Sequence, residues 1–151
     1  MKITLLLKND HDLLRGLIEK FMKSPMRNQE RMTLFQKIRN SLQIHSQIAS
    51  ELLYSALAAT PSDRAVELAD TNQKRCDAVE RLFKELGAMS PSDPDFEIRM
   101  NALIAEIGMH IEMEEDEVFH EARKMLPEYQ LEELGLEMQS RRDALKRLAV
   151  V

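Results

Sequence analysis

Apolar residues recur every three or four positions along most of this chain, which is the spacing of one face of an α-helix. Breaks rich in Ser, Pro and Asp separate four long periodic segments, roughly 4–23, 28–58, 61–87 and 94–125, from a fifth at about 128–148. Amphipathic helices of this length with short loops pack as bundles. The pattern therefore predicts an all-α fold, an antiparallel up-down-up-down four-helix bundle with a shorter C-terminal fifth helix.

Proline, glycine and capping residues also predict where helices begin and where the domain ends. Thr60 is the predicted N-cap of the third helix with Pro61 in its first turn, and Gly135 is expected to perturb the fifth helix. No segment is long enough to serve as a linker between two domains. We therefore expect a single domain over 1–151, with the bundle at about 4–126.

Polar residues interrupt the predicted core-facing stripes at three points. His11, His45 and His110 each replace an apolar residue in the middle of a stripe, and each lies on a different helix. Glu114 follows His110 by one turn, so both point the same way. A buried carboxylate is costly unless it is paired or binds a metal, and four-helix bundles hold metals with such side chains. The alternative is that these are ordinary hydrogen-bonded core histidines.

The third helix carries no histidine, and its predicted stripe is apolar apart from one glutamine. That stripe runs through Val66, Ala69, Gln73, Cys76, Val79, Phe83 and Leu86.

Composition narrows the class of protein. A net charge of −5, with five Phe, two Tyr and no Trp, argues against a nucleic-acid-binding protein. No apolar run approaches the roughly 18 residues of a membrane span, so we expect no membrane segment. The opening Ile3–Leu7 run is too short for a secretion signal, and a lone Cys76 fits a reducing compartment. These features predict a cytoplasmic location. The isolated glycines and missing motifs exclude phosphate-cradling loops and dinucleotide sites.

Several stretches of the sequence carry a known pattern. They are Leu5-Leu6-Leu7-Lys8-Asn9-Asp10-His11, Leu42-x-x-His45 with Leu53-Tyr54-x-Ala56-Leu57, Ser90-Pro91-Ser92-Asp93-Pro94, and His110-Ile111-Glu112-Met113-Glu114-Glu115-Asp116-Glu117-Val118-Phe119. With these, the chain resembles the hemerythrin-like, HHE cation-binding family over about 3–126. The resemblance implies a four-helix bundle around two non-haem irons. It also implies reversible O2 binding, sensing of O2 or NO, or iron handling.

The resemblance also implies a set of metal ligands. His11 matches the ligand of the first helix, His45 that of the second, and His110 with Glu114 the pair on the fourth. Where the family has a glutamate four residues after its second-helix histidine, this chain has Ala49, and where it has a third-helix histidine, we find Cys76. One bridging carboxylate and the third-helix histidines are therefore missing. We expect a mononuclear site or an impaired di-iron site. Two histidines and one carboxylate suit Fe(II), and addition of His110 also suits Zn(II).

Two further residues are weaker candidates. Cys76 could replace the missing imidazole as a thiolate ligand, although a small buried core residue is the favoured interpretation. Glu80, one turn later, could substitute for the missing carboxylate, although a solvated flank charge is the favoured interpretation. Glu51 should point away from the site, and His120 is expected on the surface. The basic group at Arg141, Arg142, Lys146 and Arg147 could pack on bundle acids, remain solvated or contact a partner.

Three functions follow in order of preference. The first is a metal-binding protein, not an enzyme, that senses O2 or NO or handles iron. The second is a bundle that has lost its metal and serves as an interaction or regulatory module, which requires another partner for a buried Glu114. The third is an oxygen-activating enzyme, for which no spacing in the sequence indicates a substrate.

Overall fold

The structure is a computed structural model that describes residues 1–25 and 29–150, with side chains up to residue 148. Helices make up nearly all of it. They are α1 (Ile3–Lys23), α2 (Gln29–Ala49), the π-helical turn π1 (Ser50–Tyr54), α3 (Ser55–Ala58), α4 (Asp63–Ala88), α5 (Pro94–Met113), the π-helical turn π2 (Glu114–Val118), α6 (Phe119–Met125) and α7 (Glu128–Val150). The predicted second helix start at residue 28 and the domain end at residue 151 lie outside the described residues.

Two of the long helices in the described residues contain a π-helical turn in their C-terminal third. α2, π1 and α3 follow one another without a break, as do α5, π2 and α6, so the described residues form five long helices. The predicted all-α, antiparallel bundle with a fifth helix is confirmed. α7 has 23 residues, which is shorter than α4 with 26 but longer than α1 with 21. No helix in the described part of the chain is both long and apolar enough to cross a membrane.

The start of α4 differs from the prediction. Ser62, not Thr60, is its N-cap, and the Ser62 hydroxyl accepts the Ala65 N–H at 3.0 Å. The Thr60 hydroxyl instead donates to the Leu57 carbonyl at 2.7 Å and so closes the preceding helix. The sequence offers two hydroxyls two residues apart, and either could act as the cap by its chemistry alone.

The first half of the α4 stripe is also shifted by one residue. Val66 and Gln73, predicted to face the core, are exposed, whereas Ala65, Leu68 and Asn72 are buried. The second half is as predicted, with a core-facing row at Val79, Phe83 and Leu86. Apolar and small residues flank both choices in the first half, so the spacing alone did not distinguish them.

A polar layer divides the core into two apolar clusters. On α1, Leu7 belongs to one cluster and Leu14 to the other, with His11 between them. On α2, His45 likewise lies between Leu42 and Ile48. The histidines thus sit at one level of the bundle, with packed apolar side chains above and below. Polar groups placed between two apolar clusters need hydrogen-bonding or ionic partners, because they have given up much of their contact with water.

α7 packs along the apolar cluster that contains Leu7 and Ile48. Leu131 and Met138 are buried in that cluster. Gly135 does not break the helix. A Cβ atom there would lie 1.9 Å from the Met1 carbonyl oxygen, so glycine permits the close approach of α7 to the beginning of α1.

Candidate metal centre

Four buried side chains from three of the long helices converge in the polar layer. His11 comes from α1, His45 from α2, His110 from α5 and Glu114 from the beginning of π2. One donor atom from each lies within 4.8 Å of every other. These are the four residues that the sequence singled out as metal ligands. The fold brings all of them together.

Glu114 is the centre of this group. Its Oε1 lies 2.8 Å from His11 Nε2 and 2.8 Å from His45 Nε2. The Tyr54 hydroxyl, on π1, donates to its other oxygen at 2.6 Å. Burial alone would raise the pKa of Glu114, but the adjacent histidines His110 and His45 and the hydrogen bond from His11 hold it well below its usual range. The carboxylate is therefore an anion, although it is completely buried.

His110 provides the observation that bears most directly on a metal ion. Its Nε2 lies 3.1 Å from Glu114 Oε1, yet it has no hydrogen-bond partner among the described residues. Buried polar atoms are nearly always hydrogen-bonded, and binding of an ion is one recognised explanation when they are not. An imidazole nitrogen and a carboxylate oxygen therefore lie side by side here, as two ligands of one cation do.

The spacing of the donors fits a single transition-metal ion after small adjustments. Ligands at about 2.1 Å from one ion lie at most about 4.2 Å apart. The widest pair here exceeds that limit by roughly 0.6 Å, which small side-chain rotations can close. Three imidazoles and one carboxylate form a donor set that binds iron or zinc. The residues present therefore fit a metal ion.

Each of the two most buried histidines is held on its outer nitrogen by a carboxylate. His45 Nδ1 lies 3.0 Å from Asp10 Oδ2, and Arg142 Nη2 donates to the same oxygen at 2.7 Å. His11 Nδ1 lies 2.7 Å from Glu115 Oε2, which is also paired with Arg15. Carboxylates in this position fix the ring orientation of metal-binding histidines.

These contacts perturb the acid–base properties of the metal-free site. Burial disfavours the charged form of His45, but Glu114 and Asp10 outweigh it and raise the pKa of His45 to about 9. Burial raises the pKa of Tyr54, and the negative Glu114 raises it further. Tyr54 is therefore a phenol that donates its hydrogen to Glu114. His45 is protonated at neutral pH when no metal is bound.

The weaker candidates lie outside this group. Cys76 is half-buried, its thiol faces Asn72 Oδ1 at 3.8 Å, and burial raises its pKa. Glu80 pairs with Arg39 at 3.2 Å on the flank of the bundle. Glu51 is exposed and pairs with Arg141, as its position around the helix predicts. Ala49, at the position of the missing carboxylate, is buried among apolar side chains.

A cavity of about 330 Å³ reaches the metal centre from the side of α4. His110 is the one member of the four-residue group in its wall, together with Cys76 and Glu80. Polar or acidic residues of α2, π1 and α4 also line it, together with the buried Leu42, Val79 and Phe83. The cavity thus lies where the third-helix ligands implied by the family resemblance would stand.

Sequence reasoning missed several residues that complete the site. Asp10, Tyr54 and Phe119 belong to the motifs that carry the family resemblance, but no role was predicted for them. In the structure, Phe119 stacks on the His11 ring with 5.8 Å between ring centroids and an interplanar angle of 8°. Tyr54 follows His45 by nine residues, which in a regular helix would turn it by about 180° away from the site. The π-helical turn adds one residue and brings it back to within about 80°.

The fold and the site together define a helical bundle with a buried histidine and carboxylate centre that fits a metal cation. Residues 2–122 match the family described as Hemerythrin HHE cation binding domain. The chain belongs to this family.

Relatives of the chain include mycobacterial proteins without an assigned function. It is 28% identical over 141 residues to uncharacterized proteins of Mycobacterium tuberculosis and Mycobacterium bovis, covering 93% of this chain and 84% of theirs. It is 25% identical over 150 residues to a protein of Nostoc named DNA nickase, of which it spans 41%.

A solved structure shares the whole fold. It is the crystal structure of a Hemerythrin HHE cation binding domain-containing protein from Mycobacterium kansasii, a homologue of the M. tuberculosis protein. The TM-score is 0.88 at 25% identity, and the match covers 99% of this chain and 90% of that one. The match includes the fifth helix, which lies beyond the family match.

Proposed function

We propose that this chain is a cytoplasmic binding protein, not an enzyme, that holds one metal ion through His11, His45, His110 and Glu114. Iron is the first choice of metal and zinc the second. The observation that carries the proposal is the unpartnered, buried Nε2 of His110 beside the Glu114 carboxylate, within a group of four converging donors.

The stoichiometry follows from the donors available. Among the described residues, the only group of three or more His, Cys, Asp and Glu that could hold a metal is this one. A second ion beside it would need ligands from α4. At that position α4 has Cys76, which lines the cavity beside His110. A mononuclear iron site supplies open coordination positions at which O2 or NO binds. We infer a role in sensing these gases or in handling iron.

Metal content measured by mass spectrometry on untagged protein tests the proposal, with optical spectra before and after exposure to air. We expect about one iron or zinc per chain, lost in His11→Ala and in Glu114→Ala. The control is Glu117→Ala, because Glu117 is exposed and pairs with Arg64 on the surface. Two tightly bound ions per chain would contradict the mononuclear assignment.

The second candidate function is a metal-free interaction or regulatory module. It draws support from the hydrogen bonds of Glu114, because His11, His45 and Tyr54 already satisfy the buried carboxylate without a metal. Failure of the protein to take up iron or zinc after anaerobic reconstitution would favour this second function over the first.

A further inference from the structure

The fifth helix contributes a charged side chain to the surroundings of the metal centre. Arg142, on α7, donates from Nη2 to Asp10 Oδ2 at 2.7 Å. The same Asp10 oxygen lies 3.0 Å from His45 Nδ1, and His45 Nε2 lies 2.8 Å from Glu114 Oε1. An unbroken series of contacts thus runs from a helix outside the family match to the centre of the site.

From this series we propose that Arg142 is a positioning residue, which orients His45 toward the metal by holding Asp10. The inference rests on the proposed metal-binding function and extends it to a helix that the family match at 2–122 does not include. Asp10 accepts the His45 Nδ1 hydrogen when a metal is bound, and the ring then presents the Nε2 lone pair to the ion. Arg142 determines where the Asp10 carboxylate stands.

Burial makes this cation necessary for Asp10. Asp10 is 8% exposed, and a carboxylate removed from water requires charged or hydrogen-bonding partners. Its hydrogen-bonding partners are His45 and Arg142. Without Arg142, Asp10 would share its charge with His45 alone or turn toward solvent, and turning would withdraw it from the His45 ring.

The corresponding contact on the other histidine differs in its construction. Glu115 holds His11 at 2.7 Å, and Arg15 holds Glu115 at 3.2 Å, but the Arg15 side chain is 46% exposed and comes from α1 itself. Arg142 is 24% exposed and reaches Asp10 from another helix. The His45 contact therefore depends on how α7 docks against the bundle.

The docking of α7 sets the register that this contact needs. Gly135 lies against Met1 and Ile3, and Arg142 lies seven residues after Gly135, about two helical turns. Asp10 likewise lies seven residues after Ile3, so the two helices run parallel and bring Arg142 level with Asp10. The buried Leu131 and Met138 hold α7 in this place.

Arg142→Met tests the proposal, with Arg141→Met as the matched control. Arg141 is the neighbouring residue on the same helix and pairs with the exposed Glu51 instead. Affinity for Zn²⁺ is measured on metal-free protein by competition with a chromophoric chelator. We expect Arg142→Met to weaken binding by about 10- to 100-fold and Arg141→Met to change it by less than about threefold. Arg142→Lys should recover part of the loss.

A second measurement separates positioning from general stability. Co²⁺ bound at the site reports ligand geometry through its visible absorption bands, so we expect these bands to change in Arg142→Met and to remain the same in Arg141→Met. If Arg142→Met does not fold, Arg142→Lys and Asp10→Asn, which keep hydrogen-bonding groups in place, are measured instead, and both should weaken Zn²⁺ binding.

The outcomes are distinguishable. Wild-type protein that binds no Zn²⁺, Co²⁺ or iron overturns the proposed function and this inference with it. Wild-type protein that binds metal, with Arg142→Met equal to Arg141→Met in affinity and in Co²⁺ spectrum, overturns the positioning role alone. Equal affinities in Asp10→Asn and wild type would have the same meaning.

Discussion

The second long helix (α2, π1 and α3) and the fourth (α5, π2 and α6) contain the same arrangement of parts, yet only the fourth directs a carboxylate at the three histidines. Each has a buried histidine, a π-helical turn that begins four or five residues later, and an aromatic side chain nine residues after the histidine. The pairs are His45 with Tyr54 and His110 with Phe119. Four residues after the histidine, the fourth long helix has Glu114 and the second has Ala49.

The difference shows how a single carboxylate can serve the whole site. Ala49 lies in the apolar cluster and makes no polar contribution. The second helix instead directs the Tyr54 hydroxyl at Glu114, whose first oxygen faces all three histidines. One half of the site supplies the anion and the other supplies a neutral donor to it. This asymmetry is the structural basis for expecting one metal ion rather than two.

Removal of the carboxylate should have the largest effect. Glu114→Gln leaves the shape of the side chain but removes the charge that His11, His45 and His110 surround. We expect bound metal to fall from about one ion per chain to nearly none, and the metal-free protein to lose about 3–5 kcal/mol of unfolding free energy. Metal analysis and urea unfolding measure these changes. Glu117→Gln is the control, and a matching loss there would refute the assignment.

Restoration of the missing ligands should make the two helices equivalent. Ala49→Glu alone places a carboxylate in an apolar cluster and should destabilise the metal-free protein by about 1–3 kcal/mol. Together with Cys76→His, it supplies donors beside the cavity of α4. We expect metal content to rise from about one toward about two ions per chain in the double variant only. An unchanged content would show that the asymmetry has another cause.

The metal-free protein should lose stability as the pH rises. The pKa of His45 is raised to about 9 in the fold, against about 6.5 in the unfolded chain, so its contribution is complete below pH 6.5 and is lost as pH rises through 9. The full loss is on the order of 3 kcal/mol. Urea unfolding of chelator-treated protein at pH 6.5 and 9.5 measures it. His45→Gln should show a flatter profile, and equal profiles would contradict the interpretation.

Loss of the phenol should have a smaller effect than removal of the carboxylate. Tyr54→Phe removes the hydrogen bond to Glu114 at 2.6 Å and leaves one buried oxygen without a donor. We expect the unfolding free energy to fall by about 1.5–3 kcal/mol, because the acceptor is charged. Tyr129→Phe, at an exposed position, is the matched control. Thermal and urea unfolding of both variants decide whether Tyr54 supports the carboxylate.

Much of the fold could be predicted from local patterns. The five helical segments, the loop before Pro94 and the core stripe of α1 follow from apolar spacing and from punctuation by proline and serine. The first half of the α4 stripe was placed one residue away from its actual face, because similar residues flank it on both sides. The two π-helical turns leave no mark in spacing, and they decide which residues beyond positions 49 and 113 face the site.

The convergence of the site was predictable in part. Three histidines that interrupt apolar stripes, with Glu114 one turn after His110, indicated a shared polar layer, and the structure brings these four together. The predicted outward position of Glu51 followed from the helical period. The roles of Asp10, Tyr54 and Arg142 were not predictable, because each depends on π-helical phase or on the register between helices, which the apolar spacing does not reveal.

The sequence by itself determined which histidines and which core-facing glutamate can form the polar layer, since residue identity sets the available chemistry. It also determined that five helices form, because the hydrophobic period is a local property of the chain. Only the tertiary structure decided that Tyr54 and Arg142 complete the site. Their contributions depend on π-helical phase and on the register of α7 against α1, and both are settled by packing between segments far apart in the chain.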